Sequence, residues 1–212
     1  MDTAGPVIGV GLVAAGQSTV RTERVRRGAE ARLIPWAREL CADAGLGLAD
    51  LDGVAVARGP GAFTGVRVGL AAATGLSSAL GLPVWPSDSL TPRAVAVVGA
   101  PQVLAMLDAR KGRVYAALYK DGSCVSGPAD VDPEVALGWV QGSFVATGEG
   151  ALVYREQVLL AGGLVHSTAD APGVDVLARM GAQALAMGQG VAAGEVRPLY
   201  IRPPDAKPPK TL

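Results

Sequence analysis

The residues best placed for chemistry form a glycine-rich run at positions 58–70, which reads RGPGAFTGVRVGL. An apolar segment precedes this run and a helical pattern follows it, so we predict a turn between a strand and a helix. Such a turn presents backbone N–H groups and the positive end of a helix dipole, which together bind anions. However, the glycine spacing departs from GxGxxG, no GK[ST] follows, and Pro60 lacks an N–H donor. The spacing alone leaves an anion site open and favours a purely structural turn.

Few other side chains suggest catalysis. The sequence has one histidine, His166, which excludes any mechanism that needs two histidines within these 212 residues. Cys41 and Cys124 lack CxxC spacing, and we interpret them as small buried hydrophobes. Asp108 precedes a turn and Glu149 lies between glycines, and we interpret both as structural. The sequence therefore predicts no catalytic residue and no metal site.

The composition narrows the class of protein. Half of the residues are hydrophobic, 19 basic residues balance 19 acidic ones, and 4% are aromatic. Stand-alone nucleic-acid binders usually carry a basic surplus and aromatic stacking surfaces, so we expect any contact with RNA to be indirect. The N-terminus lacks the pattern of a secretory signal, and no apolar stretch is long enough to span a bilayer. We therefore expect a cytoplasmic protein that does not enter a membrane.

The elements that must position the glycine-rich run follow a strand–helix–strand order. Residues 54–57 are predicted to form a buried strand, residues 66–80 a helix, and residues from 84 onward another strand. This order is typical of a right-handed βαβ unit. In the second half, residues 102–108 and 113–120 are predicted to form a hairpin.

Strands precede helices in both halves of the chain, which predicts an α/β fold with two lobes. We place the N-terminal lobe at residues 1–100 and the C-terminal lobe at residues 101–202. Residues 203–212 are rich in proline and are expected to form a flexible tail.

The predicted helix at 66–80 is unusually rich in small residues, including Gly69, Ala72, Ala73 and Gly75. Interior glycines destabilise a helix by about 1 kcal/mol each relative to alanine. Small residues at three- and four-residue spacing allow another element to approach closely. The pattern fits packing on the protein's own sheet and a docking face for another protein equally well.

The glycine-rich run closely resembles the GPGSFTGxRxG signature of the TsaB family, also called YeaZ. This family supplies the accessory subunit of bacterial threonylcarbamoyladenosine synthesis. Further matches to the family occur in order along the chain, at residues 2–4, 32–35, 46–56, 107–115 and 198–202. The residues that carry the signature, hereafter the signature loop, are Gly59, Pro60, Gly61, Phe63, Thr64 and Gly65.

The resemblance implies an actin-like fold of the ASKHA type, with a ribonuclease-H-like core in each lobe. It implies a non-catalytic subunit that pairs with TsaD and, with TsaE, serves threonylcarbamoyl transfer to the adenosine beside the anticodon of tRNAs that read ANN codons. TsaD would hold the metal and perform the transfer. The resemblance implies pairing through two N-lobe helices and self-association into a homodimer through the same helices. The implied partner contacts here are Leu33, Trp36, Leu40, Arg67, Leu70, Ala71 and Thr74.

The resemblance implies no cofactor bound by this chain alone, and it leaves ATP or ADP at the joint with the partners open. Two departures from the family are visible. Family members usually carry four or five apolar residues before the Asp-Thr pair, as the central strand of the N-lobe, whereas Met1 directly precedes Asp2 here. We expect a truncated first strand that reflects a misassigned start. A histidine common in the first helix is also missing near Ala29.

Three alternatives remain open at this point. An ATP-dependent small-molecule kinase of the same fold would need an acidic glycine-rich phosphate loop, of which residues 2–6 are a poor version. A metal-dependent protease is disfavoured by the single histidine. A homodimeric scaffold unrelated to tRNA could use the same helices.

Overall fold

A computed structural model describes residues 1–203 of the chain, so the predicted tail lies outside the described residues apart from Pro203. The strands are Val7–Ala14 (β1), Gln17–Arg24 (β2), Val54–Ala57 (β3), Val84–Ser87 (β4), Gln102–Arg110 (β5), Arg113–Lys120 (β6), Ser123–Val131 (β7), Val145–Thr147 (β8) and Leu164–Val165 (β9). The α-helices are Leu33–Asp43 (α1), Phe63–Leu80 (α2), Thr91–Val95 (α3), Pro133–Leu137 (α4), Glu149–Val153 (α5), Arg155–Leu160 (α6) and Val174–Ala186 (α7). The predicted α/β class is confirmed.

The strands of the N-terminal half form two pairs joined by the first residues of the chain. β1 and β2 are antiparallel, and β3 and β4 are parallel, as the predicted βαβ unit requires. The Met1 amino group donates to Ala55 O at 2.7 Å, and Asp2 exchanges backbone hydrogen bonds with Gly9. Residues 1–3 therefore lie between β3 and β1. Side chains from β1, β3, α1 and α2 fill the core beneath them.

The C-terminal half is built on a five-stranded sheet in the order β7-β6-β5-β8-β9. The predicted hairpin of β5 and β6 is present, with a bulge between Asp108 and Arg110. β5 is buried on both faces, because Leu104 and Met106 pack into one core while Val103 and Leu107 pack into another. This central position fixes the end of β5, and hence the turn after it.

α7 returns to the N-terminal half, where it packs against β1 and β3. The fit is close: a Cβ on Gly11 would lie 2.5 Å from Val174 O, and a Cβ on Gly181 would lie 2.5 Å from Ala55 Cβ. Packing therefore crosses the predicted boundary at residue 100.

Candidate functional site

The signature loop is docked on other parts of the protein through its own backbone. Ala62 N–H donates to Ala4 O at 2.7 Å, and Gly59 N–H donates to Ser89 Oγ at 3.1 Å. Leu199 N–H donates to Arg58 O at 2.7 Å, which ties the C-terminal segment to the same loop. Two N–H groups of the loop are thus already used within the protein, in agreement with the structural interpretation of the turn.

α2 begins at Phe63, three residues earlier than predicted, so the aromatic residue of the signature lies in its first turn. The Arg67 guanidinium lies 3.6 Å from the centroid of the Phe63 ring and donates from Nε to the Tyr200 hydroxyl at 2.9 Å. The rings of Phe63 and Tyr200 lie 5.0 Å apart between centroids. Arg67 therefore fastens residues 198–202 to α2.

One side of α2 packs on residues 1–5 at close range. A Cβ on Gly65 would overlap Thr3 O, and a Cβ on Gly69 would overlap Thr3 Oγ1. Thr3 Oγ1 itself donates to Gly65 O at 2.6 Å. These two glycines are required for packing within the protein.

The opposite side of α2 is exposed and carries small residues beside Arg67, whose guanidinium is engaged with Tyr200. A Cβ on Gly75 would meet nothing within 4 Å. The exposed small residues of this helix, hereafter the α2 face, are Thr64, Ala71, Gly75, Ser78 and Ala79. Both interpretations of the small-residue pattern therefore have a structural counterpart, on opposite sides of one helix.

The seven predicted partner contacts differ in accessibility. Leu33 and Leu40 of α1 are 0% and 1% exposed, and Leu70 of α2 is 9% exposed, because all three pack in the core of the N-terminal half. The three leucines that the family resemblance implied as partner contacts are thus residues of the protein's own core. The accessible members of the set are Trp36 and Thr74, which are half-buried, and Arg67 and Ala71, which are exposed.

A buried ion pair lies beneath the segment that resembles a poor phosphate loop. Asp2 Oδ2 accepts from Arg93 Nη1 at 2.5 Å, and its Oδ1 accepts from Ala4 N–H at 2.7 Å. Asp2 and Arg93 are 0% and 1% exposed. The acidic side chain that a kinase would need for metal or phosphate chemistry is therefore committed to a structural contact, which weakens the kinase alternative.

Glu149, at the start of α5, faces the same region from the C-terminal half. Its carboxylate would lie 3.2 Å from a Cβ on Gly5. Within the described residues, its buried Oε2 and the Nε and Nη2 atoms of Arg93 have no hydrogen-bond partner. Burial is the main reason that the pKa of Glu149 rises to about 7, although the positive charge of Arg93 opposes the rise. Sequence patterns gave no signal for this side chain beyond its flanking glycines.

A cleft of about 1270 Å³ separates the two halves above these residues, hereafter the central cleft. It is lined on the N-terminal side by residues 24–30 and 60–65, and on the C-terminal side by residues 108–111, 149, 152–153 and 199–203. The signature loop, Glu149 and the β5–β6 turn thus meet in one concave site.

The single histidine lies away from this cleft. His166 is half-buried after β9, where its Nδ1 lies 3.1 Å from Thr168 Oγ1. In residues 1–203, no three His, Cys, Asp or Glu side chains come together as a metal site would require. Nor does this part of the chain contain a helix with the length and apolar character needed to cross a membrane.

Comparison with known proteins places this geometry in a class. The family model of TsaD, tRNA N6-adenosine threonylcarbamoyltransferase, matches residues 19–195. The TsaB protein of tRNA threonylcarbamoyladenosine biosynthesis from Escherichia coli is 30% identical over 95% of this chain and 93% of its own length. An uncharacterised protein from Mycobacterium tuberculosis is 43% identical over 65% of this chain and 68% of its own length.

Solved structures agree with this class. YeaZ from Pseudomonas aeruginosa superposes with a TM-score of 0.79 at 32% identity, covering 94% of this chain and 96% of that one. The chain belongs to the TsaB (YeaZ) family and has a role in the biosynthesis of threonylcarbamoyladenosine in tRNA.

Proposed function

We propose that this chain is the non-catalytic subunit that pairs with TsaD and, together with TsaE, serves threonylcarbamoyl transfer to the adenosine beside the anticodon of ANN-decoding tRNAs. The observation that carries the proposal is the α2 face, an exposed strip of small residues in the helix that begins within the signature loop. Such a strip allows the backbone of a partner helix to approach closely. Apolar area buried there would contribute about 25 cal/mol per Å².

The partner contacts within this proposal are the accessible ones. Ala71 lies on the exposed side of α2, and Trp36 on neighbouring α1 adds an aromatic side chain with some exposed surface. Aromatic residues are enriched among the side chains that dominate binding energy at interfaces. The same surface supports self-association, so a homodimer and a heterodimer would compete for it.

A division of labour with TsaD is supported by the chemistry that the described residues offer. One histidine, held beside Thr168, cannot form a two-histidine metal site. Asp2, an acid of the central region, is engaged by Arg93. We accordingly assign metal binding and group transfer to the partner, and any ATP or ADP to the joint between the subunits.

The two halves and the cleft between them also support an actin-like, ASKHA-type architecture with a ribonuclease-H-like core in each half. The five-stranded sheet with its antiparallel β5–β6–β7 meander and parallel β8 and β9 is the part that supports it most directly.

Co-purification with the TsaD of the same genome tests the pairing. Ala71→Arg places a long cation on the α2 face and is expected to abolish the complex while the variant stays folded. Ala182→Arg is the matched control, because Ala182 is an exposed alanine on α7, outside the α2 face. Failure of the wild-type chain to bind TsaD, or equal loss in both variants, would contradict the proposal.

Two further measurements separate the alternatives. Loss of the modified nucleoside after depletion of the protein would exclude a scaffold unrelated to tRNA. Tight binding of ATP by the isolated chain, measured by calorimetry, would favour the kinase.

A further inference from the structure

The lining of the central cleft is rich in basic residues, although the chain as a whole has no net charge. In the part of the chain that the structure describes, the lining contains three acids, Glu30, Asp108 and Glu149. The basic residues that line the cleft are Arg24, Arg26, Arg27, Arg110, Lys111 and Arg202. Most of the acidic residues that balance the basic ones in this neutral chain therefore lie outside the cleft.

Some of these cations are engaged in ion pairs within the protein. Arg24 pairs with Asp170 at 2.7 Å, and Arg202 pairs with Asp130 at 2.6 Å. Arg26 and Arg27 are exposed, and no acidic side chain of residues 1–203 pairs with either of them. Arg110 pairs with Asp108 at 3.2 Å, but its side chain is 84% exposed, so solvent screens that pair strongly.

The loop that carries Arg26 and Arg27 is held at both ends. Val25 N–H donates to Pro6 O at 2.9 Å before the two arginines, and Gly28 O accepts from Arg32 Nη1 at 2.8 Å after them. Arg32 is itself fixed by two hydrogen bonds to Glu23, at 2.7 and 2.9 Å. The two arginines are thus presented from an anchored backbone.

The opposite margin is the turn between β5 and β6. Arg110 and Lys111 have φ angles of +61° and +56°, in the left-handed region where glycine and asparagine are the usual residues. The turn chemistry alone would not select two cations at these positions. Their placement at the mouth of the cleft suggests a role outside the turn.

The shape of the cleft indicates the kind of anion. Small-molecule sites generally occupy about 300–1,000 Å³ and hold their ligand with buried polar groups. This cleft is larger, its accessible cations are at the margin, and the carboxylate of Glu149 lies at its floor. An extended polyanion that follows the margin fits better than a small anion that enters the floor.

We propose that the margin of the central cleft, with Arg26 and Arg27 on one side and Arg110 on the other, binds the phosphodiester backbone of RNA. The assignment to RNA rests on the proposed function, since the family acts on tRNA. This direct contact goes beyond the indirect one expected from the neutral charge of the chain.

Fluorescence anisotropy with a labelled transcript of an ANN-decoding tRNA tests the proposal, using the full chain both alone and with TsaD. Arg26→Glu/Arg27→Glu is expected to raise the Kd for tRNA about tenfold or more near 0.1 M salt. Each lost phosphate contact lowers the slope of log K against log salt by about one, so the slope should fall by about two. Arg155→Glu has the same charge change per site at an exposed position of α6 outside the cleft, and it should change the Kd less than about twofold.

An unchanged Kd in the double variant would overturn the proposal, as would equal weakening by Arg155→Glu or an absence of tRNA binding by the wild type in both forms. Equal binding of a DNA duplex of matched length would overturn the assignment to RNA.

Co-purification of each variant with TsaD is measured on the same preparations. If the pairing fails while the chain alone binds tRNA, the proposed function is wrong and the RNA surface stands. If the pairing with TsaD holds while the double variant leaves the tRNA affinity unchanged, the proposed RNA surface is wrong and the proposed function stands.

Discussion

Arg67 donates a hydrogen bond from Nε to the hydroxyl of Tyr200 at 2.9 Å, across 133 positions of sequence. The same guanidinium covers the Phe63 ring, so a residue of the family signature fixes the segment near the end of the described chain. Arg202, two residues further on, is bound to Asp130 in the C-terminal half. Residues 198–202 therefore cross the central cleft as a strap between the two halves.

Tyr200→Phe keeps the ring and removes this hydrogen bond, so it should lower the free energy of unfolding by about 0.5–1.5 kcal/mol. Arg67→Ala removes the stacking on Phe63 as well and should destabilise the protein further. Urea unfolding monitored by circular dichroism measures both. If Tyr200→Phe equals the wild type and Arg67→Ala does not, the hydroxyl contact contributes nothing and the stacking alone matters.

The two sides of α2 should respond in opposite ways to the same substitution. Gly69→Ala forces a methyl group against Thr3 and should destabilise the protein by about 1–3 kcal/mol. Gly75→Ala meets open space and should stabilise the helix by about 1 kcal/mol. Thermal unfolding of the two variants checks the sign. Stabilisation by Gly69→Ala would show that α2 does not pack on Thr3 as described.

Removing Arg93 should be among the most damaging changes in the N-terminal half. Arg93→Met leaves the buried carboxylate of Asp2 without its partner, which typically costs about 3–5 kcal/mol. Asp2→Asn/Arg93→Met removes both charges and keeps an oxygen for Ala4 N–H, so it should recover at least half of that loss. Chemical denaturation of the two variants provides the comparison. A double variant as unstable as Arg93→Met would mean that the loss comes from packing rather than charge.

Glu149 should make the stability depend on pH in the range from about 4.5 to about 7. Because burial raises its pKa to about 7 in the folded protein, folding favours the protonated form, and this stabilisation is lost as the pH rises through that value. One pKa unit corresponds to about 1.4 kcal/mol, so the loss amounts to about 3 kcal/mol. Asp2, Arg93 and Asp108 supply the charges that act on this carboxyl.

Glu149→Gln should remove that dependence and stabilise the protein at pH 8 relative to the wild type. Urea midpoints at pH 5 and pH 8 for both proteins give the measurement. An identical pH profile for the two proteins would show that Glu149 does not titrate in this range.

Local patterns in the sequence were sufficient to predict the bounds of a strand wherever an apolar run ended in a clear turn signal. β3 and β6 have the predicted bounds, because a buried apolar run and a strong turn signal define each of them. β7 was not predicted, since Ser123–Val131 is exposed, lacks clear alternation and contains Gly127 and Pro128. α7 begins after Gly173, whose backbone is in the left-handed region, and Asp175 lies in its first turn.

The candidate site was harder to predict for a physical reason. The leucines of α1 and α2 have the same periodicity whether they face the protein's own core or a partner, so only the fold reveals that Leu33 and Leu40 are buried. The central cleft combines residues separated by more than a hundred positions, such as Arg27 and Arg202, and no local pattern links them. The family resemblance identified α2 as a docking helix, and the structure distinguished the side that packs on residues 1–5 from the exposed α2 face.

The return of α7 to β1 and β3 has a consequence for the order of events during synthesis. The first strand hairpin, which ends at Arg24, emerges from the ribosome early, but Val174, which packs against Gly11 of β1, is made only about 150 residues later. Until then an apolar surface of the N-terminal half stays open, in a chain whose folding depends on long-range contacts. A nascent chain arrested before residue 174 should therefore remain sensitive to protease and bind chaperones, whereas release of the full chain closes the structure in one late step.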